Sequence, residues 1–185
     1  MHDEEIIQLF FARSQLAIEE LDRKYGRIFH SVSYNILSCH QDAEECVNDA
    51  YLGAWNAIPP AKPNPLLAFV CKIVRNISLK RYEHNTAAKR NSHYDAVLEE
   101  LEDCLASSAT IDEYLEERAL TGMIESFLDS LSTENRVIFL RRYWFCDTYA
   151  HIAALVGLTE KNVSVRLTRI RKELRKYLSE REVSL

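Results

Sequence analysis

Residues 147–174 read DTYAHIAALVGLTEKNVSVRLTRIRKEL, and this stretch decides the fold. A short helix is expected over 148–155, followed by Val156-Gly157-Leu158. Glycine enters the left-handed backbone region at little cost, which is how many helices end. Thr159 is then placed to cap the next helix by accepting a hydrogen bond from an early backbone N–H. In that helix Val163, Leu167, Ile170 and Leu174 recur at i, i+4, i+7 and i+11, a single apolar stripe. Ala153 is small where two helices must cross closely. This is the pattern of a helix-turn-helix, whose second helix enters the DNA major groove.

The opposite face of that second helix carries Lys161, Ser164, Thr168, Arg171, Lys172 and Arg175, with Arg166 and Arg169 at its flanks. Cations there neutralise phosphates, and residues near the helix start reach base edges. Taken alone, a basic helix face is as readily a solvated surface. Joined to Ala153, Gly157 and Val163, it points to DNA.

Outward from this stretch, the chain has 185 residues, only four glycines and four prolines, and 47% hydrophobic residues. So few turn formers disfavour a β-sandwich or a doubly wound α/β fold and favour an all-α chain. Its apolar content is too high for general disorder. The net charge of −5 would argue against nucleic acid if it were evenly spread. It is not. Residues 72–90 carry six basic residues against one acid, and residues 159–185 carry eight against four. Between them, residues 95–134 carry twelve acids against one base, Arg118. Two basic blocks flank an acidic one.

No apolar run approaches the roughly 18–20 residues of a membrane span, and the acidic start Met1-His2-Asp3-Glu4-Glu5 lacks the basic start of a signal peptide. A cytoplasmic protein with no membrane insertion is expected. Five dispersed cysteines without C-x-x-C spacing fit a reduced chain and give no basis for a metal site. No cofactor is expected.

Helices are expected over 4–21, 25–37, 42–57 and 66–83, with a polar break at 38–40. Asp42-x-x-Glu45 resembles a capping box. Pro59, Pro60, Pro63 and Pro65 make 58–65 a stiff non-helical connector. Periodicity is weakest over 85–109, where a short helix at 96–105 fits; a second helical unit begins near Ile111 and breaks at 131–133.

Two faces of the N-terminal helices differ in sign. The third helix turns Ala43, Val47, Ala50, Tyr51, Ala54 and Trp55 to one side and Glu44, Glu45, Asn48, Asp49 and Leu52 to the other. No base occurs between Asp42 and Trp55, so this acidic face suits a basic partner. The fourth helix buries Leu66, Val70, Ile73, Val74 and Ile77 and projects Lys72, Arg75, Asn76 and Lys80. Cationic surfaces with aromatic walls bind single-stranded DNA, although Phe69, Tyr82 and Tyr51 nearby are more readily core residues.

Together these segments, from Ile18 to Leu178, resemble a bacterial sigma-70 family RNA polymerase sigma factor of the extracytoplasmic-function (ECF) type. Asp42-Ala43-Glu44-Glu45-Cys46-Val47-Asn48-Asp49-Ala50-Tyr51 is similar to that family's DAED-x-V-Q-[DE]-x-F core. Phe69-x-x-Lys72-Ile73-Val74-Arg75-Asn76 is similar to its W-x-x-[RK]-I-A-R-N segment. Tyr149-Ala150-His151-Ile152-Ala153 and the arginines from Arg166 to Arg171 resemble its second DNA-binding region. Asn48, Phe69 and Ser164-Val165 depart from the usual residues, which bears on the promoter sequence rather than on the function.

The resemblance implies two small helical domains joined by a flexible linker: region 2 at 1–86, the linker at 87–110, and region 4 at 111–185. It implies that Glu45, Asn48, Asp49 and Leu52 bind core RNA polymerase at its β′ clamp helices, with the β flap as a further contact. It implies that Lys72, Arg75, Asn76 and Lys80 melt and hold the −10 promoter element, beside a proline loop that captures a flipped base. Lys161, Ser164, Arg166, Thr168, Arg169 and Arg171 would read the −35 element. An anti-sigma factor is an implied partner. The alternative is a stand-alone dimeric helix-turn-helix regulator, which would bind a palindrome with half-sites about one helical turn apart. An enzyme is disfavoured: His30, His40, His84, His93 and His151 lack a paired nucleophile or carboxylate motif.

Overall fold

The computed structural model describes residues 1–86, 93–105 and 113–182, and among these all regular structure is helical. The helices are α1 (Asp3–Phe11), α2 (Leu16–Leu37), α3 (His40–Ala57), α4 (Leu66–Thr86), α5 (His93–Leu105), α6 (Glu113–Ser130), α7 (Thr133–Tyr143), α8 (Tyr149–Val156) and α9 (Glu160–Glu182). They form two compact units, Met1–Tyr94 and Asp95–Leu185. The all-α, two-unit class expected from the sequence is what is found. The segment read as a linker is partly helical: residues 87–92 and 106–112 lie outside the described residues, and α5 lies between them.

In the N-terminal unit α2, α3 and α4 pack mutually and α1 lies on α2. The core contains Leu21, Phe29, Ile36, Val47, Ala50, Ala54, Val70 and Val74, all fully buried. Alanines on α3 let neighbouring helices approach closely. Ile58 anchors the start of the proline-rich connector in this core. Asp3 ties three elements together. Its Oδ1 accepts hydrogen bonds from Lys24 Nζ and Tyr25 Oη, both at 2.7 Å, and Leu66, the first residue of α4, adds a backbone bond.

Three local expectations are corrected. The first helical stretch does not run to residue 21. It breaks after Phe11, where Arg13 takes a left-handed backbone (φ 52°). The Arg13 guanidinium donates to the Trp55 carbonyl and lies over the Trp55 ring, so a tertiary contact holds the break. The helix that follows runs unbroken from Leu16 to Leu37. The capping box at Asp42 is also absent. Helix α3 starts two residues earlier, with Cys39 at its N-cap and no side-chain cap bond. Asp42 instead accepts from Asn85 Nδ2 at 3.1 Å, and Glu45 from Arg81 Nη2 at 2.9 Å, which joins α3 to α4.

The C-terminal unit forms as its sequence dictates. Ser132 caps α7 through Asn135 N, and Thr148 caps α8 through His151 N. Gly157 closes α8 at φ 68°, and Thr159 Oγ1 accepts from Asn162 N at 3.2 Å to start α9. Val163, Leu167, Ile170 and Leu174 are buried on α9, against a core that includes Ile138, Phe139, Ile152 and Ala153. Among the described residues no helix is long and apolar enough to cross a membrane.

Candidate nucleic-acid and partner interfaces

Helix α3 presents Glu45, Asn48, Asp49 and Leu52 on one exposed face, as their i, i+3, i+4, i+7 spacing requires. Leu52 is 58% exposed, an apolar side chain ringed by polar ones. Isolated exposed leucines are ordinary, but here the surrounding acids give the patch a sign. The Glu45 carboxylate is already engaged by Arg81, at a pair about one-third to one-half exposed. Asp49 extends the acidic face beyond that pair, with the neutral, exposed Asn48 beside it.

On α4 the expected cationic residues separate by burial. Lys72, Asn76 and Lys80 are exposed, while Arg75 is half-buried. The apolar side holds Leu66, Val70 and Val74 fully buried, with Ile73 and Ile77 at its margin. Cys71 and Ser78 complete it. Ser78 is satisfied by Ser33 Oγ at 2.8 Å and by its own donation to the Val74 carbonyl. Tyr51 belongs to the core. It is 8% exposed, lies edge-on to Phe29, and donates to Asp22 Oδ1 at 2.5 Å. Burial pushes its hydroxyl pKa up, and the Asp22 bond pushes it further. Tyr82 packs edge-on against Tyr94 at 5.1 Å. Phe69 is half-buried.

On α9 the six residues expected at a major groove also divide. Lys161 and Arg169 are exposed, and Ser164 and Thr168 are half-buried. Thr168 Oγ1 donates back to the Ser164 carbonyl at 2.9 Å. Arg166 is ion-paired to Glu134 of α7. Arg171 is held at 3.0 Å by Glu100 of α5. Lys172 and Arg175 add exposed charge to the same helix.

Glu100 is the residue the sequence reading missed. Its carboxylate accepts from Arg142 Nη2 at 2.6 Å and Nε at 3.3 Å, Tyr143 Oη at 3.0 Å, Tyr149 Oη at 2.9 Å and Arg171 Nη1 at 3.0 Å. Burial alone would push this carboxyl up. The Arg142 bonds and charge, with the two tyrosine hydroxyls, overcome that and hold it below the usual value. Arg142 is itself buried, lies over the Tyr149 ring, and donates to the Asp147 carbonyl. A sequence signal existed: Tyr94, Val97, Leu98 and Leu101 have helical apolar spacing, and Tyr94 and Val97 are buried. The dense acids around them read instead as linker.

An acidic helix face, a cationic helix and a basic helix-turn-helix thus occur in fixed order along one chain. Residues 21–87 match the family description of sigma-70 region 2, and residues 121–174 match that of sigma-70 region 4. The chain belongs to the sigma-70 family. It is 21% identical over 165 residues to the ECF RNA polymerase sigma factor SigE of Mycolicibacterium smegmatis, covering 87% of this chain. It spans 61% of the length of that relative. A solved structure of CnrH in complex with the cytosolic domain of CnrY aligns over 96% of this chain and 97% of that one. The identity is 20% and the TM-score 0.45. In family terms, α3 and α4 lie in region 2, and α7, α8 and α9 up to residue 174 lie in region 4.

Proposed function

We propose that this chain is a sigma factor of the ECF type, which binds core RNA polymerase and directs it to promoters with two separate DNA elements. The observation that carries this reading is the opposed charge of two exposed helix faces in one region 2 unit, acidic on α3 and cationic on α4. An acidic face with one exposed leucine favours a basic protein surface through charge complementarity. Glu45, Asn48, Asp49 and Leu52 would meet the clamp helices of the polymerase. A cationic face with an exposed asparagine favours backbone and base contacts to an opened strand. Lys72, Arg75, Asn76 and Lys80 would hold the −10 element after melting. The proline-rich connector preceding α4 would lower the ordering cost of capturing a flipped base, a step that itself costs a few kcal/mol.

In region 4, Lys161 and Arg169 would make the first contacts of α9 with the −35 element, with Ser164 and Thr168 alongside. Arg166 and Arg171 would join them by leaving their carboxylate partners. Val165, 42% exposed near the start of α9, is positioned for an apolar contact such as a thymine methyl.

The test is Asp49→Arg in the full chain, measured by fluorescence anisotropy against purified bacterial core polymerase. Placing a cation against a basic surface should weaken binding tenfold or more, while affinity for duplex DNA stays unchanged. Unchanged affinity for core would refute the role of α3. Tight binding to a palindromic duplex by a dimer, with no affinity for core, would support a stand-alone regulator instead.

A further inference from the structure

Arg171 lies on the row Lys161, Ser164, Thr168, Arg171, Arg175, spaced i, i+3, i+7, i+10, i+14 along α9. It is therefore in line with the residues proposed to meet DNA, yet its guanidinium already binds an oxyanion. Nη1 donates to Glu100 Oε2 at 3.0 Å and lies 2.7 Å from Tyr143 Oη, while Nη2 reaches Thr168 Oγ1 at 3.4 Å. Carboxylate and phosphate present similar paired oxygens to a guanidinium. We propose that Glu100 is a built-in stand-in for a DNA phosphate: it holds Arg171 while α9 is free and gives it up when α9 binds duplex. This rests on the reading of α9 as the DNA-binding helix.

The arrangement around Glu100 suits such an exchange. Without Arg171 the carboxylate keeps two bonds from Arg142 and one each from Tyr143 and Tyr149. Loss of Arg171 therefore does not leave a half-buried charge without partners. Arg142 is 5% exposed and cannot follow Arg171 to the surface, whereas Arg171 is 20% exposed at its side chain. One arginine anchors the carboxylate and the other is exchangeable. The consequence is a tax on DNA affinity in the isolated protein, set by a residue of α5 that lies outside both matched family regions.

The experiment measures binding of the full-length chain to a mixed-sequence duplex of about 25 base pairs at about 50 mM KCl, where phosphate contacts dominate. Glu100→Gln keeps the shape and removes the charge. It should tighten binding roughly three- to tenfold, the scale of one net intramolecular hydrogen bond. Glu99→Gln, an exposed neighbour with the same charge change, should move affinity by less than about twofold, since exposed charges are screened by salt. Arg171→Gln should weaken binding and lower the salt slope by about 0.9, the share of one phosphate contact. In the Arg171→Gln background, Glu100→Gln should have no further effect. Tyr149→Phe removes one of the bonds that let Glu100 release Arg171, so it should weaken binding, opposite in direction to Glu100→Gln.

Unchanged or weaker binding by a Glu100→Gln chain that keeps the parent's helical circular dichroism would overturn the proposal, as would tighter binding by Tyr149→Phe. So would a gain that persists without Arg171. Lys161→Ala separates this from the parent reading. If it weakens duplex binding while Glu100→Gln fails to strengthen it, only the exchange is wrong. If Lys161→Ala, Arg169→Ala and Arg171→Gln all leave binding unchanged, α9 is not the DNA-binding helix and both ideas fall.

Discussion

Replacing Gly26 by alanine should change sign with its neighbour. Gly26 sits in the middle of α2, where alanine normally stabilises a helix by about 1 kcal/mol. Here an added Cβ would collide with Asp22 Oδ1 and lie 3.0 Å from its Cγ. Asp22 is exposed and has room to rotate, so the backbone need not move. Rotation breaks the bond that Asp22 accepts from Tyr51 Oη. That bond joins an acidic side chain to the hydroxyl of a buried tyrosine, and its loss costs about 1.5–3 kcal/mol. The loss outweighs the helix gain, so Gly26→Ala should destabilise the N-terminal unit by about 0.5–2 kcal/mol. In an Asp22→Ala background the obstruction is gone. The nearest remaining atom is then Tyr51 Oη at 3.4 Å, an ordinary contact. There the same substitution should stabilise by about 1 kcal/mol. Urea unfolding followed by Trp55 fluorescence, with Trp144→Phe so that only the N-terminal unit reports, measures both. If Gly26→Ala stabilises the parent chain, or destabilises equally in both backgrounds, the reasoning fails.

Two further expectations concern the C-terminal unit. Gly157 has φ 68°, and a Cβ added there would meet nothing within 4 Å, so Gly157→Ala should cost only the backbone term, about 1 kcal/mol; Gly157→Asn should cost less. Thermal unfolding compares the two. Glu100 has a lowered pKa in the folded unit, so its contribution to stability is fully present above its unfolded value and is lost as pH falls through the lower folded one. The stability difference between the parent and Glu100→Gln should stay constant from pH 7 to about 5 and shrink below about pH 4. A difference that grows on acidification would contradict the hub geometry.

Legibility in the sequence followed the range of the interactions. The helix-turn-helix was readable because its determinants are local: Gly157 at a left-handed turn, Thr159 three residues from the N–H it caps, and apolar residues repeating along one helix. The α3 and α4 faces were readable for the same reason, since helical spacing alone puts Asp49 beside Glu45 and Asn76 beside Lys72. The break at Arg13 was hidden because Trp55, 42 residues away, holds it. Asp42 and Glu45 looked like a cap, but their partners Asn85 and Arg81 lie 43 and 36 residues on. Arg166, Arg169 and Arg171 were all assigned to the −35 element, and only the structure gives Arg166 and Arg171 the partners Glu134 and Glu100. A lone charge pattern specifies a helix face. It does not specify which of its cations already has a carboxylate.

The most direct test of the central claim is run-off transcription by core RNA polymerase with this chain added, on a pool of genomic promoter fragments from the same organism. The account requires initiation at a subset of fragments that core alone leaves silent, and its loss when either the −10 or the −35 element of a responding fragment is scrambled. If the chain stimulates core on no fragment, or if scrambling one of the two elements has no effect, the account of one unit for each element is wrong.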